Sequence, residues 1–276
     1  MKDLKFLTAG IPLRTKPRTY KKAFSDLISM GLDGIEVEFV RGVKMSEANI
    51  QEIIGLAKPN NMVLTAHAPF YVNLNSQEPD KIVASIDRII ETARMAKTLG
   101  LYSIVFHAAY YMEMPQEDVY QKVKDGFDKI MQVVQDEDID IFVRPETTGK
   151  ATQWGNLAEV IRISKEYDKV LPCIDFSHLY ARTIGGYNTY DDFCNIFETI
   201  GNELGSFALE NFHAHVAGIE YTSKGERKHL IFEESQFNYR DLLRAFKAFD
   251  VKGVVVCESP NIEDDAMILA QYYNSL

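Results

Sequence analysis

The amino-acid sequence predicts an α/β protein folded as one (β/α)₈ barrel of the TIM type, spanning residues 1–276. Short apolar runs rich in β-branched residues alternate eight times with longer segments of helical period. The chain of 276 residues is close to the length of about 250 residues that is typical of such a barrel. No linker, low-complexity tract or change of composition divides it. These observations together favour a single barrel domain.

Eight strands are predicted, most of them continuous apolar runs of the kind that helices cover on both faces. They are 6–11, 34–39, 62–66, 103–107, 139–143, 170–175, 212–216 and 253–257. The alternative fold is an open doubly wound sheet. That fold more often carries a glycine-rich phosphate loop after its first strand, and the sequence has none.

Helical periodicity is clearest over residues 80–99, where apolar residues recur at steps of three and four. Asp80 is the predicted N-cap of this helix and Gly100 the predicted stop. The other predicted helices are 19–30, 46–57, 116–135, 156–166, 189–202, 238–249 and 261–274.

Composition restricts the class of protein and its compartment. The apolar fraction of 46% and the charged fraction of 25% are ordinary for a soluble globular chain. No stretch reaches the roughly 20 apolar residues that a membrane span needs, and the first residues lack a signal-peptide core. Three cysteines without CxxC spacing indicate free thiols. We therefore expect a cytoplasmic protein, and we expect it to be a monomer.

Chemistry-bearing side chains follow the predicted strands. In a barrel of this type the active site forms at the carboxyl ends of the strands. Five of the six histidines and three carboxylates lie there: His67, His107, Glu146, Asp175, His178, His213, His215 and Glu258. Carboxylates that end apolar runs need a partner, and imidazole with carboxylate suits zinc, with manganese or iron as alternatives. For His213, packing in the core or supporting a ligand is the favoured interpretation.

These motifs resemble endonuclease IV, the apurinic/apyrimidinic endonuclease family 2, over essentially the whole chain. The matching segments are AHAPFYVNL at 66–74, VFH at 105–107, PET at 145–147, CIDFSH at 173–178, AH at 214–215 and CESP at 257–260. The resemblance implies two bound zinc ions, one held by His67, His107 and Glu146. It implies that Glu146 bridges to a second, held also by Asp175, His215 and Glu258.

A third metal in this family would involve His178 and an Asp-x-His pair in the loop after strand 7. Here Glu226 stands at the aspartate position and Lys228 at the histidine position. An ammonium group cannot ligate a metal. Our hypothesis is that the third metal is weak or absent and that Lys228 replaces part of its charge. The alternative is a shift in register that brings in His229.

The activity implied by the resemblance is cleavage of double-stranded DNA on the 5′ side of abasic sites. Water activated by the metals would attack the phosphodiester, and Glu146 and Glu258 would be the catalytic carboxylates. Rim residues implied as DNA contacts are Arg41, Phe70, Tyr71, Arg227 and Lys228. An aromatic at 70 or 71 could wedge into the duplex.

Two other functions remain open at this point. A metal-dependent sugar isomerase or epimerase on a related barrel also uses His, Glu and Asp at strand ends. The net charge of −10 favours this alternative, because general binding to nucleic acid favours a basic surface. The second alternative is a barrel that binds a ligand or partner without catalysis.

Overall fold

The computed structural model describes residues 1–276 and contains eight parallel strands surrounded by helices. The strands are β1 (Leu4–Ala9), β2 (Gly34–Glu38), β3 (Val63–His67), β4 (Ser103–Phe106), β5 (Phe142–Pro145), β6 (Ile174–Asp175), β7 (Phe212–Val216) and β8 (Gly253–Cys257). Their order in the sheet is β5-β4-β3-β2-β1-β8-β7-β6. Parallel bridges from Val143 to Val170 and from Glu146 to Cys173 join the two outer strands. The sheet thus closes as the predicted (β/α)₈ barrel.

Ten α-helices surround the strands, and one apolar cluster of 71 buried residues joins the two layers. None of the helices is long and apolar enough to cross a membrane. The helices are α1 (Tyr20–Met30), α2 (Glu47–Leu56), α3 (Pro79–Leu99), α4 (Gln116–Asp136), α5 (Leu157–Ser164), α6 (Phe176–Arg182), α7 (Tyr190–Leu204), α8 (Ser206–Glu210), α9 (Tyr239–Ala248) and α10 (Glu263–Ser275).

Element boundaries differ from the prediction where proline intervenes. The helix predicted to be capped by Asp80 begins at Pro79 with Glu78 as its N-cap, because proline suits the first helical turn. Gly100 ends the helix as predicted, in the left-handed conformation with φ 66°. The strand predicted over 170–175 is regular only at Ile174–Asp175, because Pro172 cannot donate a ladder hydrogen bond.

A β-hairpin that was not predicted follows β7 and covers part of the barrel mouth. It pairs Gly218–Thr222 with Gly225–Leu230 in antiparallel fashion. The pairing shifts register between Glu220 and Tyr221, so Arg227 is one extra residue opposite that step. This bulge decides which side chains of the second hairpin strand share a face. The structure also contains a short strand pair, Ala109–Tyr110 with Gln153–Trp154, and the short helices α6 and α8, none of them predicted.

The barrel interior is partly polar below the mouth. Alternate residues of each strand point inward, and a small apolar cluster of Leu7, Val254 and Val256 fills part of the space. Arg144 on β5 is fully buried and donates hydrogen bonds to the carbonyl oxygens of Pro172 and Asn211. Other inward polar residues, all buried, are Glu36, Thr65, Ser103 and His213.

Candidate metal centre

His67, His107 and Glu146 converge at the carboxyl ends of β3, β4 and β5. The Nε2 atoms of His67 and His107 each lie 3.1 Å from Oε2 of Glu146. Nδ1 of His67 is 2.7 Å from the carbonyl oxygen of Ala68, which can only accept a hydrogen bond. That contact keeps a proton on Nδ1 and directs Nε2 toward Glu146, so Nε2 is the nitrogen available to a metal.

A second group shares Glu146 and adds Asp175, His215 and Glu258, with ligand atoms within 4.8 Å of one another. Nδ1 of His215 lies 3.3 Å from an oxygen of Glu146 and 3.3 Å from one of Glu258. Asp175 caps α6 through Oδ1, which accepts a hydrogen bond from the backbone N–H of His178. Its other oxygen is buried and makes no hydrogen bond, although Nδ1 of His178 lies 3.2 Å away. A bound cation would satisfy that oxygen.

A third group consists of Asp175, His178 and His229. Glu226 lies beside it, with Oε2 3.6 Å from Nε2 of His178. The side chain of Lys228 is 61% exposed, with Nζ 3.6 Å from Glu220. The Lys228 ammonium thus lies beside Glu220 and away from the third group, an arrangement that favours the alternative of a register shift that brings in His229. The bulge at 227 puts residues 226 and 229, rather than 226 and 228, on the same face.

Two carboxylates on β2 belong to this region and were not identified from the sequence. Glu36 is fully buried and lies within 2.8 Å of His215 and 3.2 Å of His213. Glu38 is one strand repeat further along, and its Oε1 is buried without a hydrogen-bond donor. Period-two alternation along the segment IEVE was the available signal, because it turns residues 36 and 38 inward together. His213 lies behind the mouth and not in it.

The mouth is a cavity of about 350 Å³ whose lining carries no lysine or arginine. Four of the lining residues are glutamates and four are histidines. The complete lining is Ala9, Glu38, His67, Phe70, His107, Glu146, His178, Glu226, His229 and Glu258. Such a lining of nitrogen and oxygen donors is chemically suited to divalent transition metals.

Electrostatics inside the mouth favours bound positive charge. Burial raises the pKa of Asp175 to about 6 and that of Glu38 to about 8. Burial also acts to raise the pKa of Glu146, but the charges of neighbouring histidines outweigh it and hold that pKa well below its usual range. Burial acts to lower the pKa of His67, but the hydrogen bond and charge of Glu146, together with the charges of Glu38 and Glu36, outweigh it and raise that pKa to about 10. A divalent cation would therefore compensate the buried carboxylates and accept the imidazole nitrogens as ligands.

The predicted DNA contacts lie around this mouth but differ in their surroundings. Phe70 and Tyr71 are 58% and 67% exposed at the rim, and the Phe70 ring is 5.9 Å from the His67 ring. Arg41 is exposed in the loop after β2. Arg227 and Lys228 both point to Glu220 on the first hairpin strand, so each is partly neutralised.

The chain belongs to the xylose isomerase-like TIM barrel family, whose model matches residues 24–275. An uncharacterised protein of Methanocaldococcus jannaschii is 42% identical over 98% of this chain and 97% of that protein. A probable endonuclease 4 of Mycoplasma pneumoniae is 24% identical over 72% of this chain and 68% of that protein.

Solved structures of two activities share the fold. A D-tagatose 3-epimerase-like protein superposes with a TM-score of 0.74 and 19% identity, covering 98% of this chain and 97% of the other. Endonuclease IV from Thermus thermophilus superposes with a TM-score of 0.71 and 14% identity, covering 99% and 100%. The fold is thus shared with both, and the choice between activities depends on the side chains of the mouth.

Proposed function

We propose that the protein is a divalent-metal-dependent phosphodiesterase that cleaves DNA on the 5′ side of abasic sites, as endonuclease IV does. Zinc is the favoured metal, because the donors are imidazole nitrogens and carboxylate oxygens. The proposal is supported by the endonuclease 4 names of the weaker sequence relatives. Its main support is the side-chain geometry of the mouth.

One observation carries the proposal: the ligand groups overlap. Glu146 belongs to both the His67–His107 group and the His215–Glu258 group, and Asp175 belongs to both the latter and the His178–His229 group. Shared carboxylates are the means by which proteins hold two or three cations close together. Such clusters suit in-line displacement at phosphorus, where both the attacking and the leaving oxygen need stabilisation.

The proposed roles follow from position. His67, His107 and Glu146 would hold one metal, and Glu146, Asp175, His215 and Glu258 a second. A third would be held by Asp175, His178 and His229, with Glu226 beside them. The metals would supply Lewis-acid stabilisation of charge at the phosphoryl group.

Glu258 has the proposed role of orienting the attacking water. Its side chain is 15% exposed and lines the cavity, so it reaches both the ligand group and solvent. Phe70 lines the cavity and Tyr71 follows it in the same exposed loop; both would contact the unstacked lesion, since exposed aromatic rings stack readily on bases. Arg41 would contact a phosphate of the flanking duplex.

The test is whether zinc-loaded protein cleaves a 5′-labelled duplex that contains one tetrahydrofuran abasic analogue. We expect a single product ending in a 3′-hydroxyl, which a DNA polymerase can extend. Addition of a chelator, and separately the substitution Glu146→Gln, should abolish formation of this product. An undamaged duplex of the same sequence is the substrate control, and Glu159→Gln, a buried carboxylate outside the mouth, is the variant control. An intact lesion duplex with fully metal-loaded protein would refute the proposal.

Epimerisation of a ketose sugar is the second candidate, favoured by Glu38. This carboxylate enters the cavity, and no lysine or arginine lines it to receive a phosphate. A hydroxyl-rich neutral substrate can donate hydrogen bonds to such a lining. Incubation of the same metal-loaded protein with D-tagatose and D-fructose, followed by chromatography of the sugars, separates this activity from cleavage of DNA.

A further inference from the structure

A carboxylate lies beneath the proposed metal centre without any lysine or arginine partner. Glu36 is fully buried inside the barrel, and the imidazoles of His213 and His215 are the ionisable bases in direct contact with its carboxylate. Barrel interiors of this type are usually filled by branched apolar side chains. A buried carboxylate costs free energy unless its environment compensates it. Its place in the interior therefore calls for an explanation other than packing.

The two oxygens of Glu36 have different partners. Oε2 accepts a hydrogen bond of 2.7 Å from the Thr65 hydroxyl and lies 3.2 Å from Nε2 of His213. His213 is itself held from the other side, with Nδ1 2.9 Å from the Ser103 hydroxyl. Oε1 lies 2.8 Å from Nε2 of His215 as a charge contact, and neither atom has a hydrogen-bond partner within the protein. Thr65 and His213 thus fix one edge of the carboxylate and leave the other edge to His215.

His215 presents its two nitrogens to two different environments. Nδ1 faces Glu146 and Glu258 in the mouth, whereas Nε2 faces Glu36 in the interior. A neutral imidazole carries its proton on only one nitrogen. Nδ1 can ligate a metal only when the proton is on Nε2, and an acceptor beside Nε2 selects that tautomer.

We propose that Glu36 is the positioning residue of the metal centre: it holds His215 with its proton inward and Nδ1 free for a metal. Thr65 and His213 keep the Glu36 carboxylate in place. The arrangement also puts one negative charge directly behind a ligand, which strengthens the ligand as a donor. The inference depends on the proposed metal centre but not on the proposed substrate.

Glu36→Gln in the full-length protein tests the proposal, because the amide keeps the shape and removes the charge. Zinc affinity is measured by competition with a chromophoric chelator after removal of bound metal. We expect a loss of about 10- to 100-fold, the usual effect of removing such a partner. Glu159→Gln is the matched control, since Glu159 is a buried carboxylate that accepts hydrogen bonds at the start of α5. It should retain wild-type affinity.

A second measurement covers the case in which Glu36→Gln does not fold. Nitrogen-15 NMR of histidine side chains in zinc-loaded wild-type protein reports which nitrogen of His215 carries the proton. A proton on Nε2 supports the proposal, and a proton on Nδ1 overturns it. Wild-type zinc affinity in folded Glu36→Gln would overturn it equally. A protein that binds zinc normally but leaves abasic DNA intact would refute the proposed function and leave this inference standing.

Discussion

Gly149→Ala is the substitution whose effect the structure defines most sharply. Gly149 lies in the loop after β5, against the hairpin. A methyl group there would lie 2.6 Å from Cβ and 2.7 Å from Oε2 of Glu226, and 3.0 Å from Cδ2 of His178. Carbon atoms in contact are separated by about 3.5–4.0 Å, so Glu226 must retreat by about 1 Å. The backbone of Gly149 is not left-handed, so the effect is steric alone.

The size of the destabilisation follows from the lack of space into which the neighbours of residue 149 can move. His178 is buried on one side, and on the other the hairpin turn at Gly225 already packs on the Gly149 carbonyl. Overpacking of this kind destabilises by about 1–3 kcal/mol. For a chain of this size that corresponds to a fall in melting temperature of roughly 2–4 °C per kcal/mol. Displacement of Glu226 should also weaken the proposed third metal site, where ligand distances tolerate only about 0.2 Å.

The assay combines calorimetry with zinc stoichiometry after dialysis. We expect Gly149→Ala to melt lower and to retain one zinc fewer than the wild type. The matched control is Gly55→Ala in the exposed face of α2, where the new methyl meets nothing within 4 Å. That control should raise stability by about 0.5–1 kcal/mol, because glycine is unfavourable in a helix. Wild-type melting and full zinc retention in Gly149→Ala would refute the placement of the hairpin against the β5 loop.

Three other outcomes are expected. Chelator-treated protein should lose stability as pH rises from about 5 to about 8, because folded Glu38 keeps its proton up to a pKa of about 8 whereas the unfolded chain releases it near 4.5. Calorimetry should show a flatter profile for Glu38→Gln, and a stability that rises over this range would contradict the assignment. His229→Ala should release the third zinc while Lys228→Ala retains it; the reverse result, by metal analysis, would restore Lys228 to the site. Phe70→Ala should weaken binding to abasic duplex by about 10-fold, the scale of one lost stacking contact, whereas Phe207→Ala, an exposed aromatic on α8, should not. If a fluorescence titration gives Phe70→Ala and the wild type equal affinities for the abasic duplex, Phe70 does not insert into the duplex.

The sequence predicted the fold and most of the mouth because both depend on simple periodicities. Eight apolar runs separated by helical segments specify parallel strands, and parallel strands bring their carboxyl ends together. His67, Glu146 and Glu258 each end such a run, so their convergence follows from topology alone. No knowledge of side-chain packing is needed for that step, and the structure brings these residues together as the topology requires.

The remainder depended on features that periodicity does not contain. Period-two alternation turns Glu36 and Glu38 inward together, but it does not identify His215 and the mouth as the groups that they meet, which depends on closure of the barrel. Because of the hairpin bulge at Arg227, His229 rather than Lys228 lies on the same face as Glu226. A register shift of this kind is set by how the hairpin packs against the barrel. Residue spacing alone does not contain this bulge, so it places Lys228 where the structure has His229.

The acidic composition favoured a sugar substrate, but the position of the acidic residues weakens this argument against an anionic substrate. Five carboxylates converge on the mouth: Glu38, Glu146, Asp175, Glu226 and Glu258. Two divalent cations would nearly cancel that charge, and a third would reverse it. The field that a phosphodiester would meet at the mouth would thus be set by metal occupancy and not by the net charge of −10. A strongly acidic chain and an anionic substrate are compatible here, provided that the anion approaches a loaded centre.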